Sequence, residues 1–204
     1  MSPEAILVSM VLLVVSLSIH EAAHAWTADR LGDPTARMLG RVTLNPLAHI
    51  DWIGTVLFPL IAMTTNAPLL GWAKPVPVNF HNLRAPRRDF AIVAAAGPLS
   101  NILQAVAAAT VLMVFKFPYG SLADAVLVNF VSLNVLLAVF NMLPVPPLDG
   151  GNVLAGVLPE QGARLIDQLR PYGFVILYAL MLSGVLARVM LPIARNIQNA
   201  LLSI

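Results

Sequence analysis

The chain has 204 residues, of which 58% are hydrophobic and only 11% carry a charge. A soluble domain is typically about 25% charged, so this chain has too little polar surface to cover a globule in water. The composition instead favours a membrane protein with several helices. The net charge of +2, spread over mostly apolar segments, excludes a nucleic-acid-binding protein. The absence of cysteine excludes disulfides, thiolate metal ligands and a cysteine nucleophile.

The first half of the chain contains one clear membrane span and one shorter apolar stretch. The segment from Pro3 to Trp26 is mostly apolar. As a helix it would be about 36 Å long, more than the hydrocarbon core of a bilayer at about 30 Å. The segment from Ile53 to Ala67 is apolar but short, and Pro59 interrupts it. We therefore expect a re-entrant or interfacial helix there.

Three further apolar segments predict spanning helices, from Phe90 to Phe117, Leu122 to Leu143 and Phe174 to Ala194. The connecting segments are too short to contain a soluble domain. We therefore expect an all-α, polytopic membrane helix bundle with about four spanning helices. Residues 1–204 are expected to form one membrane domain, with a core of residues 1–151 and a C-terminal helical segment of residues 152–204.

The motif HEAAH lies at the end of the first span and carries most of the candidate chemistry. His20 and His24 are four residues apart, so both imidazoles lie on one helical face and can share one metal ion. Glu21 lies on the same turn, where it could take a proton from metal-bound water rather than bind the metal. Ionisable residues within apolar segments are costly, which makes all three candidates for function.

A catalytic zinc site usually has three protein ligands and a water molecule, so the two histidines need one more ligand. Asp149, which follows the span from Leu122 to Leu143, is the best remaining candidate. Two alternatives are open at this point. The histidines and Glu21 could form a structural hydrogen-bonded cluster, and Asp149 could be a turn residue, because Asp followed by Gly is a common turn signal.

Taken together, these residues resemble the site-2 protease family of intramembrane zinc metalloproteases. That family combines HExxH in one transmembrane helix with the motif NxxPxxxLDG in a later one. Here the second motif is formed by Asn141, Pro144, Leu148, Asp149 and Gly150. The segments AAAGPLSN, LGDPTARMLGRVTLNPLAHID and GWAKPVPVN are similar to a compact bacterial branch of the family that has no PDZ or CBS domain.

The resemblance implies one zinc ion per chain, held by His20, His24 and Asp149, with Glu21 as the catalytic base. A peptide bond in or near a transmembrane segment of a membrane-protein substrate would be hydrolysed at a cell membrane. The sequence does not identify a regulatory partner.

For three polar residues the sequence is compatible with more than one role. Asn141 is implied to bind substrate backbone or a reaction intermediate, with helix packing as the alternative. For Asn101 the packing alternative is favoured over a supporting role at the site. His49 is expected to be a loop histidine without a metal role, and a fourth ligand is the alternative.

Proteins of other classes fit the pattern less well. A catalytically inactive membrane scaffold or metal-binding homologue would have no need of Glu21 beside both histidines. A metal transporter would place polar residues along a path through several spans, whereas here they gather at one depth. A di-iron hydroxylase needs many more histidines than the four in this chain.

The shared metal also predicts a topology. The span that ends with HEAAH and the span that ends before Asp149 must both end near one membrane face. The span from Phe90 to Phe117 must start at that face for the next span to return to it. The stretch between Trp26 and Phe90 therefore crosses the membrane an even number of times. With a single apolar segment, that stretch should dip into the membrane and return. Nine of the twelve basic residues lie in segments of this face, which the positive-inside rule assigns to the cytoplasm, with the N-terminus outside.

Overall fold

The computed structural model describes residues 2–65 and 71–203, in which it contains helices and no strand. This confirms the all-α prediction. The α-helices in chain order are α1 (Pro3–Arg30), α2 (Thr35–Met38), α3 (Phe58–Thr65), α4 (Pro86–Phe115), α5 (Leu122–Asn141), α6 (Asp149–Val157), α7 (Glu160–Leu169), α8 (Gly173–Leu182) and α9 (Val185–Leu202).

Within the described residues, four helical stretches are long and apolar enough to cross a membrane. They are Pro3–Arg30, Pro86–Phe115, Leu122–Asn141 and Glu160–Leu182. The first three are α1, α4 and α5, which confirms three predicted spans with ends displaced by a few residues. The protein is thus a multi-pass membrane protein.

Helix α4 lies at the centre of the bundle and packs against α1, α5 and α6. Toward α5 it presents small side chains, including Ala105 and Ala108, which contact Val131 and Val135. Small residues let helix backbones approach closely, which is the main source of packing between helices inside a bilayer. Ala194 of α9 joins the same cluster, and α9 packs mainly against α5.

The structure corrects the expectation of a single span from Phe174 to Ala194. This region forms two helices, α8 and α9, which are separated at Ser183 and Gly184. Gly184 has a φ of 73°, a left-handed conformation that glycine adopts without the steric cost of a side chain. A stretch that is apolar over almost its whole length gives no periodic signal that would reveal such a break.

The described part of the segment from Ile53 to Ala67 is a π-helical turn, Trp52–Leu57, that continues into α3. The carboxylate of Asp51 caps its start by accepting hydrogen bonds from the amides of Ile53 and Gly54, at 3.1 and 2.7 Å. The six residues of the turn and the eight of α3 rise at most about 21 Å, too little for a membrane crossing. Residues 66 and 67 of the predicted segment lie outside the described residues.

Candidate metal centre

The two histidines of HEAAH lie in the last three turns of α1 and point toward the same place. Their Nε2 atoms are 3.0 Å apart, and the side chains are almost fully buried, with 4% of His20 and 9% of His24 exposed. This is the common face that the four-residue spacing predicts.

Asp149, the first residue of α6, completes the group. Its Oδ2 atom lies 3.2 Å from Nε2 of His20 and 3.4 Å from Nε2 of His24. Helix α6 is held against α4, because the Arg87 guanidinium donates hydrogen bonds to the carbonyls of Ala155 and Leu158 at the end of α6. The structure therefore brings together the residues of two motifs that are far apart in the sequence.

Hydrogen bonds on the opposite side of each imidazole fix its orientation. Nδ1 of His20 donates to Oδ1 of Asn101 at 2.6 Å, and Nδ1 of His24 donates to the carbonyl of Val93 at 2.7 Å. With the proton on Nδ1, each neutral ring has its Nε2 lone pair free for a metal.

The three donor atoms fit zinc. Nitrogen and oxygen ligands at about 2.0–2.2 Å from zinc in a tetrahedral arrangement lie about 3.4 Å from one another. The separations of 3.0–3.4 Å between the two Nε2 atoms and Oδ2 are close to this spacing. In addition, two unprotonated nitrogens that face each other at 3.0 Å repel each other unless a cation or a proton lies between them.

Gly97 of α4 forms a wall of this centre. A Cβ atom built at position 97 would overlap the imidazoles of both His20 and His24. Glycine is therefore required here by the close approach of the α4 backbone to the histidine rings rather than by a special backbone conformation.

Glu21 lies beside the donor atoms but is held by a different part of the chain. Its carboxylate lies within 4.8 Å of the donor nitrogens of His20 and His24. Its Oε2 atom accepts a hydrogen bond of 3.1 Å from the backbone amide of Val76. The carboxylate is thus near enough to act on a water molecule at the metal.

Val76 belongs to residues 71–79, a segment without regular secondary structure in which Pro75 and Pro77 favour extended backbone for the residues before them. The buried guanidinium of Arg41 donates to the carbonyls of Lys74 and Pro75, at 2.5 and 3.3 Å. Burial lowers the pKa of Arg41, and the negative charge of Glu21 opposes this shift. The contact of Arg41 with this segment was not predictable from sequence, because an arginine between two short helices gives no signal of its own.

His49 contributes to this support rather than to the group of donor atoms. Its Nε2 donates to the carbonyl of Thr43 at 2.8 Å, and its Nδ1 faces the Arg41 guanidinium at 3.5 Å. The side chain is 1% exposed, so it is a buried structural histidine rather than a solvated one.

The two asparagines named from sequence differ in their placement. Asn101 is fully buried and contacts His20, although sequence alone favoured a packing role. Asn141 is half-buried and donates to the carbonyl of Leu137 in its own helix at 3.0 Å. The structure therefore brings Asn101 to the metal centre, whereas the hydrogen bond recorded for Asn141 stays within α5.

An HExxH helix that faces a half-buried carboxylate within a membrane helix bundle is typical of a membrane metalloprotease. The family model of Peptidase family M50 matches residues 119–184. Among curated proteins, "Putative zinc metalloprotease YwhC" of Bacillus subtilis is 34% identical over 203 residues, which cover 96% of this chain and 89% of that protein.

"Putative zinc metalloprotease Rip2" of Mycolicibacterium smegmatis is 30% identical over 176 residues, or 86% of this chain and 66% of that protein. No solved structure gives a significant match. The chain belongs to Peptidase family M50, the site-2 protease family, and is a zinc metalloprotease.

Proposed function

We propose that this protein is an intramembrane zinc metalloendopeptidase that hydrolyses a peptide bond in or near a transmembrane segment of a membrane-protein substrate. The observation that carries the proposal is the convergence of His20, His24 and Asp149 within 3.4 Å of one another in the interior of the helix bundle. The donor group lies at the end of a spanning helix, where a metal is reached from within or at the edge of the membrane.

The proposal gives each residue of the centre a distinct role. His20, His24 and Asp149 hold the metal. Zinc held there would supply Lewis acidity toward the scissile carbonyl and would lower the pKa of a water molecule beside it. The amide of Val76 binds one oxygen of Glu21 and leaves the other to face the attacking water. Glu21 accepts the proton of that water and passes it to the leaving nitrogen.

The substrate must be extended where it is cut, because a helix hides its carbonyls in internal hydrogen bonds. A locally unwound transmembrane segment meets this requirement. In this proposal Asn141 binds substrate backbone, while Asn101 supports His20 through its hydrogen bond to Nδ1. The whole chain acts as one catalytic domain, since α1, α4, α5 and α6 pack together around the centre.

A comparison of membrane-protein fragments tests the proposed activity. Cells that produce the active protein should contain fragments whose new termini lie within or beside transmembrane segments, and cells that produce Glu21→Gln should lack them. The variant is the matched control because it replaces only one carboxylate oxygen of Glu21 by an amide nitrogen. Identical fragments in both cells would indicate an inactive homologue, and new termini confined to soluble domains would contradict intramembrane cleavage.

The proposed topology places the metal centre near the cytoplasmic face and the N-terminus outside. It is supported by contacts between loops that flank the short apolar segment. Asp33 accepts hydrogen bonds from the backbone of Asn79 and the side chain of Asn82, so both loops lie on one side. Burial alone would raise the pKa of Asp33, but hydrogen bonds from Thr35, Asn82 and Asn79 lower it below its usual value. The carboxylate therefore remains ionised and ties the loops together.

Single cysteines test this topology cleanly, because the chain has no cysteine of its own. Met38 and His81 are exposed on the proposed cytoplasmic face, and Tyr119 is exposed on the opposite loop. A membrane-impermeant thiol reagent applied to intact cells should label a cysteine only at position 119. Positions 38 and 81 should react once the membrane is opened.

Two results would contradict the arrangement. Labelling of only one of positions 38 and 81 would show that the segment between them crosses the membrane. Labelling of both, with position 119 protected, would show the reverse orientation.

A further inference from the structure

A chain of buried polar side chains leads away from the metal centre through the middle of the bundle. Asn101 of α4, Asn134 of α5 and Ser16 of α1 each have no exposed surface. Nδ2 of Asn101 donates to Oδ1 of Asn134 at 2.9 Å, and Nδ2 of Asn134 donates to Oγ of Ser16 at 3.0 Å. The hydrogen bond from His20 to Asn101 begins this chain, and Ser16 lies one turn before His20 on α1. The links therefore form a ring that starts and ends on the same helix.

The ring fixes the direction of each amide. Asn101 can accept the Nδ1 proton of His20 only with its oxygen, since a flipped amide would set an NH₂ group against that proton. Asn134 offers an oxygen to the NH₂ group of Asn101 and so holds it in the accepting orientation. Asn134 is fixed in turn, because its own NH₂ group donates to both Ser16 and the carbonyl of Phe130, each at 3.0 Å.

Burying these groups in three apolar helices is costly, because each must replace its bonds to water. Hydrogen bonds between membrane helices contribute little on average to helix association, so association alone does not explain why these groups are buried. Groups that orient a metal ligand have a larger effect, since loss of such a partner typically weakens metal binding by about 10–100-fold.

We infer that Asn134 is a positioning residue for the zinc centre, which acts through Asn101 on the orientation and tautomer of the His20 imidazole. The inference rests on the proposed role of His20 as a metal ligand. The hydrogen bonds of Asn134 go to Asn101, Ser16 and the carbonyl of Phe130, so its effect on His20 passes through one intermediate side chain, Asn101.

The test compares purified full-length variants by their zinc dissociation constants, measured by competition with a chelator, and by the visible spectra of their cobalt forms. Asn134→Leu should bind zinc about 10–100-fold more weakly and show a changed cobalt spectrum. Asn134→Asp, which keeps an oxygen facing Asn101, should recover most of the affinity. Asn134→Ser also removes the amide but keeps a small polar side chain. It replaces Asn134→Leu in the test if the leucine variant does not fold, and it should weaken zinc binding over the same range.

Gln104→Leu is the matched control. Like Asn134, Gln104 is a buried amide, but it lies on α4. It donates to the backbone carbonyl of Ser16 at 3.5 Å and is not part of the ring. Unchanged zinc affinity in both Asn134→Leu and Asn134→Ser, or equal weakening by the Asn134 and Gln104 variants, would overturn the inference and leave a packing role. His20→Ala, measured in parallel, should lose zinc. If it keeps zinc, the proposed ligand set itself is wrong.

Discussion

Replacement of Glu21 by glutamine is expected to lower peptide hydrolysis by about 10²–10⁴-fold while zinc remains bound. Glutamine has nearly the same shape, and its side-chain oxygen can still accept the hydrogen bond from the Val76 amide, so the local structure should persist. It cannot take a proton from water, which removes the general base. The carboxylate is also not one of the three closely spaced donor atoms at 3.0–3.4 Å, so the metal should keep its ligands.

Metal analysis of the purified variant, together with cleavage of a generic transmembrane substrate, measures both effects. His20→Ala is the comparison, because it removes a donor atom and should lose both zinc and activity. Equal zinc loss in the two variants would make Glu21 a ligand rather than the base.

Replacement of Asp149 by alanine is expected to abolish activity and to weaken zinc binding strongly. Loss of a residue that only hydrogen-bonds to a metal ligand weakens metal binding by about 10–100-fold, and loss of the ligand itself should exceed this range. The change removes the single donor that α6 supplies, and two imidazoles are fewer ligands than a catalytic zinc site uses. Zinc affinity is again measured by chelator competition.

Two controls separate this effect from general damage. Asp167→Ala removes an exposed carboxylate that pairs with Arg170 and should leave zinc affinity unchanged. His49→Ala should lower the stability of the Arg41 region but keep the metal. Loss of zinc from His49→Ala, with retention in Asp149→Ala, would show that the ligand set inferred from the LDG motif does not apply to this chain.

The spanning helices could be predicted from the sequence because a bilayer requires each of them to have a minimum length and a mostly apolar composition. For α1, α4 and α5 the apolar runs gave the helices, but not their ends. Helix α1 continues to Arg30, beyond the predicted Trp26, because a helix need not stop where the hydrocarbon core does. The break at Gly184 was not predicted, because glycine also occurs inside continuous membrane helices. The presence of a glycine in an apolar stretch therefore does not show whether the helix continues or ends there.

The centre was predictable where one helix or one motif defines it. Spacing alone put His20 and His24 on one face, and the LDG motif pointed to Asp149. Gly97 and Asn134 gave weaker signals, because their importance depends on which helix faces meet. An asparagine within an apolar run such as α5 is a candidate for a buried contact, yet only the packed structure shows that its partner is Asn101.

The donors of the centre come from two helices, α1 and α6, and ribosomal synthesis makes them at different times. A chain that has inserted only its first helix carries the histidine pair without Asp149. Three spans must be in the membrane, and α6 must dock against α4, before the third donor reaches the other two. With Asp149 as the third ligand, a nascent chain is an incomplete protease throughout its insertion. Catalytic competence then appears only once the core has assembled, so a partly inserted chain cannot cleave the proteins that insert beside it.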